Sequence, residues 1–153
     1  MDVDIVTAVH LAGLALNEEV VRRLAAAGFG DARVSHGFLI QHLVDGPRPV
    51  GEIAERMEVT QQAVSKAAAE LVGLGYLERT PHPADARVRL LGLSPRGEDL
   101  VSRSRSIRAE ITAELTAHLG EDATERLRAA ALAALDWAGG GEGLRGRRVR
   151  PPR

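Results

Sequence analysis

The sequence predicts a mainly helical α+β fold, in which a small β-hairpin follows a compact pair of helices. Apolar residues recur with helical spacing over most of the chain, as at Leu100, Ile107 and Ile111. Two short stretches of strand-like composition flank a proline-containing segment at residues 81–87. These features predict a single domain over residues 1–138, followed by a flexible Arg/Gly-rich tail at residues 139–153.

The N-terminal third of the chain is predicted to form two helices. The first, Val3–Ala27, has an apolar surface wider than one stripe, which favours burial on two sides, against its own domain and against a partner. An ordinary core helix with some exposed leucines is the alternative. After the break at residues 28–30, we expect Asp31 to cap a second helix that runs to about Val44. Residues 45–49 then form a turn.

The next stretch has the pattern of a helix-turn-helix. Val50–Met57 is predicted as the first helix, and the second begins after a Thr60 cap and ends at Gly75. Apolar side chains of the second helix recur at i, i+3, i+4 and i+7: Val64, Ala67, Ala68 and Leu71. Its opposite face carries hydrogen-bonding side chains: Gln61, Gln62, Ser65 and Lys66. Because glutamine can pair with adenine, and lysine with guanine or phosphate, this face predicts entry into a DNA major groove. A solvated helix face is the alternative.

A winged form of this motif is indicated by the residues that follow. Tyr76–Arg79 and Val88–Leu93 are predicted strands, and Pro81–Arg87 joins them. The predicted DNA-binding residues are Thr60, Gln61, Gln62, Ser65 and Lys66 on the helix, and Asp85, Arg87 and Arg89 on the wing. For Asp85 and Arg87, the alternative is a surface ion pair of little consequence. The sequence therefore predicts a winged helix-turn-helix over residues 46–97.

Residues 49–97 resemble the MarR family of bacterial transcription regulators. The resemblance rests on four segments: Glu70-Leu71, Gly75-Tyr76-Leu77-Glu78-Arg79, Pro83-Ala84-Asp85-Ala86-Arg87 and Leu93-Ser94-Pro95-Arg96-Gly97. The chain departs from the family pattern at His82, Ala86 and Glu58, where Asp, Arg and Gly are usual. The resemblance implies that Asp85 orients Arg87, and that Arg87 enters a minor groove.

Two more helices are predicted after the wing. Ser94 followed by Pro95 is a helix start, and this helix runs to about Leu119; the last helix begins at about Asp122 and ends near Trp137. Long helices at both ends of a small domain are difficult to bury in a monomer, and a two-fold dimer solves the problem. The resemblance implies the same arrangement, with residues 3–27 and 95–138 forming the dimer contacts.

The resemblance also implies a function. It implies a sequence-specific regulator that binds double-stranded DNA. Such a regulator would act as a ligand-responsive repressor and bind a palindromic operator as a homodimer. The family places a cleft between the first, second and fifth helices, where a small apolar or phenolic acid would bind. His10, His36 and His42 are the predicted residues of that pocket. A winged-helix protein-interaction module without DNA binding stays open, as does a dimeric small-molecule-binding protein or enzyme.

Composition and motifs limit the other kinds of site and function that the sequence could support. The sequence has no cysteine, which excludes disulfides and thiolate metal sites, and no two histidines lie at i and i+4. It has no P-loop, Rossmann or nucleophile-elbow motif, so we predict no catalytic residue, metal or cofactor. We expect a cytoplasmic protein without membrane contact, because no apolar run is long enough to span a bilayer. The net charge of −1 weighs against DNA binding, but a local basic patch is sufficient to contact phosphates.

Overall fold

The computed structural model describes residues 2–140, which form a mainly helical fold with a small antiparallel sheet. In chain order, the elements are α1 (Ile5–Leu24), α2 (Val34–Ile40), β1 (Arg48–Pro49), α3 (Val50–Met57), α4 (Gln61–Gly73), β2 (Leu77–His82), β3 (Asp85–Leu93), α5 (Pro95–Leu119) and α6 (Glu121–Trp137). The sheet order is β1-β3-β2, with both pairings antiparallel. The predicted fold class is confirmed. The predicted tail lies, from residue 141 onward, outside the described residues.

Side-chain caps fix the starts of three helices. Asp4 accepts a hydrogen bond from the Thr7 amide (3.0 Å) at the start of α1. Thr60 accepts from the Ala63 amide (3.1 Å) before α4, and Ser94 accepts from the Gly97 amide (3.1 Å) before α5. Each cap satisfies an amide that has no partner within its helix. The predicted helix starts at Thr60 and Ser94 are therefore confirmed.

The predicted second helix was wrong at its start. Helix α2 begins at Val34, not after Asp31, and regular α-helix ends at Ile40. Before it, α1 continues into a wide helical turn at Ala25–Phe29, where Gly28 has a φ of 92°. Asp31 caps nothing because its carboxylate accepts hydrogen bonds from Tyr76 and Arg96, both far away in sequence. Bonds to residues distant in sequence have thus replaced the predicted local capping bond of Asp31.

The sheet is larger than the sequence predicts. Arg48 and Pro49, predicted within a turn, pair with Leu91 and Leu90 as β1. The wing strands also extend further toward the tip, because β2 continues to His82 and β3 already begins at Asp85. The hairpin turn is thus shorter than the predicted connection of residues 81–87. The pairing register of β2 with β3 shifts between Pro81 and His82, and His82 pairs with Asp85.

Glu58 adopts the left-handed conformation in the turn between α3 and α4. Its φ of 54° and ψ of 40° make it the one non-glycine residue with a positive φ among residues 2–140. A side chain in this region costs about 1–2 kcal/mol relative to the right-handed region. The family pattern places glycine here, so the departure noted in the sequence has a backbone consequence.

The core lies between the helix-turn-helix, the sheet and the start of α5. Its most deeply buried side chains are Leu39, Leu43, Ile53, Val64, Leu71, Tyr76, Leu91 and Ile107. From α1, only Val20 and Leu24 are buried, and α6 has no buried residue. Most of the large apolar side chains that remain exposed belong to these two helices: Ile5, Val6, Val9, Leu11, Leu14, Leu16, Leu127, Leu132, Leu135 and Trp137. A single chain therefore leaves most of α1 and α6 uncovered.

Tyr76 holds three segments together at the base of the wing. Its buried hydroxyl donates to Asp31, in the loop after α1, and Arg96 of α5 donates to both oxygens of the same carboxylate (3.1 and 3.0 Å). The Arg96 guanidinium lies 4.4 Å from the centre of the tyrosine ring. The hydrogen bond from Tyr76 is the main cause of a lowered Asp31 pKa. Burial, and then the bond to Asp31, raise the pKa of Tyr76 to about 12.

Replacing Gly97 with alanine should disrupt this junction. An added Cβ would overlap the carbonyl oxygen of Tyr76, which also accepts the Ser94 amide (3.0 Å). We expect Gly97→Ala to lower the free energy of unfolding by about 3 kcal/mol, measured by urea denaturation. Gly73→Ala is the matched control, because a Cβ there meets nothing within 4 Å and should stabilise α4 by about 0.5–1 kcal/mol. Equal effects of the two changes would contradict the predicted overlap.

The contribution of the Tyr76 hydroxyl can be isolated with Tyr76→Phe, which keeps the ring. We expect a loss of about 1.5–3 kcal/mol of unfolding free energy at pH 7, because the hydroxyl bonds a charged carboxylate. Since the folded-state pKa of Asp31 is lowered, its stabilisation is present above about pH 4 and is lost as pH falls through the folded pKa. The raised Tyr76 pKa acts oppositely: stabilisation is complete below about pH 10 and is lost as pH rises toward about 12.

Urea titrations at several pH values measure this difference. The gap between the parent and Tyr76→Phe should be largest near neutral pH and should narrow at both extremes. A gap that does not change with pH would exclude the charged Asp31–Tyr76 bond as its source.

Candidate nucleic-acid interface

Helix α4 separates its apolar and polar side chains onto two faces. Val64, Ala68 and Leu71 are buried, and α3 supplies Ile53, Ala54 and Met57 to the same core. On the other side, Gln61, Gln62, Ser65 and Lys66 are all exposed within the first two turns. The structure therefore brings the four predicted α4 residues together on the solvent side of this helix.

The environments of Thr60 and Gln61 distinguish them from their neighbours. The Thr60 hydroxyl oxygen accepts the Ala63 amide, and its own hydrogen can still be donated to an acceptor outside the protein. Gln61 lies beside the start of α3, since a Cβ on Gly51 would come within 3.3 Å of Gln61 Nε2. Gln62, which follows Gln61, is therefore the stronger candidate for contact with a base edge.

The wing places Arg87 at an exposed position near its tip. The Arg87 side chain is 92% exposed, and Asp85 Oδ1 accepts hydrogen bonds from its backbone amide (3.0 Å) and its Nε (3.2 Å). Asp85 thus bonds both the backbone amide and the guanidinium of Arg87. Because Asp85 bonds Nε, the N–H groups on the two terminal nitrogens of the guanidinium can still donate hydrogen bonds. Arg89, also predicted, is exposed on the same strand and pairs with Pro81.

His82 closes the turn at the wing tip. Its Nδ1 accepts the Ala84 amide at 3.1 Å. A short polar side chain that bonds an amide two residues later is a common turn device, most often supplied by Asp or Asn. His82 therefore supplies the local bond that the usual aspartate of the family pattern is suited to make.

A cavity of about 570 Å³ lies between α1, α2 and α5. Its walls are largely apolar, from residues such as Val20, Leu24, Phe38, Ile40 and Leu100. Three arginines, Arg33, Arg105 and Arg108, also line it, and no carboxylate is among its lining residues in the described part of the chain. The cavity thus combines apolar walls with positive charge, a chemistry that suits an apolar anion.

Only one of the three predicted pocket histidines lines this cavity. His36 does so, whereas His42 is buried in the core at 3% exposure and His10 lies exposed on α1. All three histidines were predicted because the first, second and fifth helices frame the cleft in the family. The helix on which a residue lies does not determine the direction of its side chain. The arginines were missed, although Arg105 and Arg108, spaced i, i+3 on α5, carried a signal for a shared face.

Residues 2–140 contain neither a candidate metal cluster nor a candidate membrane span. No group of three or more His, Asp or Glu side chains there is placed to hold a metal ion. None of the helices in that range combines the length and apolarity needed to cross a bilayer.

Helices α3 and α4 with the β2–β3 hairpin define a winged helix-turn-helix protein. Residues 34–88 match the model of the MarR family. This part of the chain is similar to that family.

Relatives and solved structures agree with this similarity. An HTH-type transcriptional regulator of Mycobacterium tuberculosis (strain CDC 1551 / Oshkosh), MT0903.1, is 34% identical over 87 residues, which are 57% of this chain and 61% of the relative. The match thus spans about three fifths of that relative's length. The YusO protein of Bacillus subtilis is 29% identical, with a TM-score of 0.65 over 86% of this chain and 90% of its own.

Two more distant structures support the fold alone. RV1404 of Mycobacterium tuberculosis has a TM-score of 0.75 at 23% identity, over 92% of this chain and 97% of its own. A mutant of MepR from S. aureus, solved bound to an oligodeoxyribonucleotide, has a TM-score of 0.61 at 21% identity, over 90% of this chain and 99% of its own.

Proposed function

We propose that this protein is a sequence-specific regulator of transcription that binds double-stranded DNA. The observation that carries the proposal is the polar face of α4 beside an exposed Arg87 on the wing. An α-helix fits the major groove, where base pairs differ in their hydrogen-bonding pattern, and a narrow minor groove attracts arginine. Relatives named as HTH-type transcriptional regulators support the same role.

Each predicted residue has a distinct part in this proposal. Gln62 reads a base edge, with Gln61 beside it, while Lys66 meets guanine or phosphate. Thr60 and Ser65 donate hydroxyl hydrogens to phosphate oxygens. Asp85 fixes the pose of Arg87 in the minor groove, and Arg89 contacts the backbone. No catalytic step is part of the proposed function.

A homodimer would present two such units to DNA. The support is the large apolar surface that a single chain leaves exposed on α1 and α6. Two-fold pairing of the helices at residues 3–27 and 95–138 would cover it and set two recognition helices about 34 Å apart. Such a dimer matches a palindromic operator, and we place the protein with DNA in the bacterial cytoplasm.

Ligand response is the second part of the proposal. The cavity between α1, α2 and α5 has apolar walls and three arginines, which suits a small apolar or phenolic acid. Its binding would release the operator, as expected of a ligand-responsive repressor. A ligand weakens DNA binding only as far as it prefers the conformation that binds DNA poorly.

Selection of bound duplexes from a random library tests the main proposal. We expect enrichment of a palindrome, a linear fall of log affinity with log salt, and a sedimenting complex with two 16.3 kDa chains per duplex. A protein-interaction module would enrich no sequence. A single chain on each duplex would contradict the dimer.

Gln62→Ala and Lys66→Ala should separate base reading from phosphate contact. Gln62→Ala should cost about 1–3 kcal/mol on the selected operator and relax the preference at one base pair. If Lys66 meets phosphate, Lys66→Ala should weaken all duplexes alike and reduce the salt slope by about one ion. Titrations with operator and scrambled duplexes at several salt concentrations distinguish the two. Equal losses on both duplexes for both variants would remove Gln62 as a base reader.

The wing gives a prediction in which two physical effects have opposite signs. Arg87→Ala should remove most operator affinity. Asp85→Ala should also weaken binding, because Arg87 loses the carboxylate that holds it. Simple electrostatics predicts the reverse, since a negative charge near DNA is deleted. Titrations at fixed salt measure both variants.

Glu78→Ala is the matched control for that comparison. It deletes the same charge from an exposed position on the same hairpin. We expect affinity equal to or slightly above that of the parent. Tighter binding by Asp85→Ala than by the parent would show that Asp85 does not position Arg87.

A further inference from the structure

The pairing register of the wing places two arginines on the same face. Arg79 of β2 lies opposite Leu91, and Arg89 of β3 lies opposite Pro81. Residues directly opposite each other in an antiparallel pair share a face, as do residues two positions apart on one strand. Arg79 and Arg89 are therefore diagonal neighbours on the face that contains Leu91. We call this face the arginine face of the wing.

Both arginines are exposed, and neither has a partner in the described part of the chain. Their guanidinium groups make no hydrogen bond or ion pair with any residue from 2 to 140. The arginines that join elements of the fold differ from them, since Arg23, Arg48 and Arg96 each bond a carboxylate. Like charges at neighbouring positions of a sheet are unfavourable, so an anion that binds beside both guanidinium groups would be favoured.

The opposite face of the hairpin has a different charge. Glu78 and Thr80 lie on it, opposite Gly92 and Leu90. None of these paired residues is basic, and Glu78 is an exposed acid. The regularly paired part of the wing is thus positive on one face and negative on the other.

The position of the two arginines along the wing indicates which anion they would bind. Arg79 lies nearest the core, since its partner Leu91 is buried, and Arg87 lies near the tip, with Arg89 between them. When α4 occupies a major groove and the tip enters the next minor groove, the phosphate backbone between these grooves passes along the hairpin. A guanidinium binds phosphate oxygens through strong, charge-assisted hydrogen bonds.

We propose that Arg79 and Arg89 bind the phosphate backbone of duplex DNA along the arginine face, which makes Arg79 a DNA contact in addition to Arg87 and Arg89. The inference rests on the proposed DNA binding and adds which face of the wing meets the duplex. It requires a cation on that face, so the total charge of the wing is not sufficient.

Moving one cation by a single residue tests the face. The double variant Arg79→Thr/Thr80→Arg keeps composition and net charge but transfers the guanidinium to the opposite face, because side chains alternate along a strand. On the scrambled duplex, we expect its salt slope to fall by about 0.9 for each bound chain. The affinity ratio of parent to variant should then rise about eightfold per chain for each tenfold dilution of salt.

Two single variants are the matched controls. Thr80→Arg adds a cation to the opposite face and should leave the salt slope of the parent unchanged. Arg79→Lys keeps a cation on the arginine face and should retain that slope. Because Thr80 is half-buried, circular dichroism and urea unfolding check the fold of each variant. If the double variant unfolds, Arg79→Gln, at an exposed position, replaces it and should give the same fall in slope.

A double variant with the slope and affinity of the parent would overturn the proposal, because net charge would then be sufficient. An unchanged slope in Arg79→Gln would also overturn it. These readouts use a duplex without the operator, so they do not depend on sequence preference. Failure to enrich a palindrome would overturn the proposed sequence-specific function, whereas enrichment together with unchanged slopes would overturn only this inference. The absence of binding to any duplex would overturn both.

Discussion

The contact of the buried Tyr76 with Asp31 is the constraint on which the rest of the structure depends. It joins the loop after α1 to the end of the helix-turn-helix, and Arg96 adds the start of α5. Gly97 then allows the backbone of α5 to approach the Tyr76 carbonyl more closely than any side chain permits. Because Tyr76 is buried and Arg96 bonds both oxygens of Asp31, these contacts set the direction in which α5 leaves the wing. The helices proposed for dimerisation are thereby positioned relative to α4.

A second, weaker connection lies on the other end of the same short segment. Arg33 follows Asp31 closely in sequence, but both side chains of its bond to Glu70 are exposed, whereas the Tyr76–Asp31 bond is half-buried because Tyr76 is enclosed. Water and salt weaken an ion pair more as its exposure rises, so the Arg33–Glu70 pair is expected to be the weaker of the two contacts. The Arg33–Glu70 pair can therefore break while the Tyr76–Asp31 bond stays in place.

Local chemistry explains what could be predicted from the sequence. Thr60 and Ser94 cap helices through bonds to residues only three positions away, so a short stretch of sequence is sufficient to predict their roles. Asp31 has the same capping chemistry, yet its partner Tyr76 lies 45 residues further on, and no periodicity reveals such a contact. The same limit applies to the cavity. The three histidines were predicted from the helices that carry them, but of the three only His36 lines the cavity, and the arginines that line it were missed.

The low net charge of the chain affects which residues would supply the proposed affinity for DNA. With a net charge of −1, the protein as a whole exerts little attraction on a polyanion. Under the proposed function, affinity would then come from a few cations at defined positions, chiefly Lys66, Arg87 and Arg89. Each phosphate that such a cation neutralises contributes about 0.9 to the salt slope on B-form DNA, so a small set gives a shallow slope. A shallow slope also means weak nonspecific binding, which leaves base contacts from α4 to supply most of the discrimination.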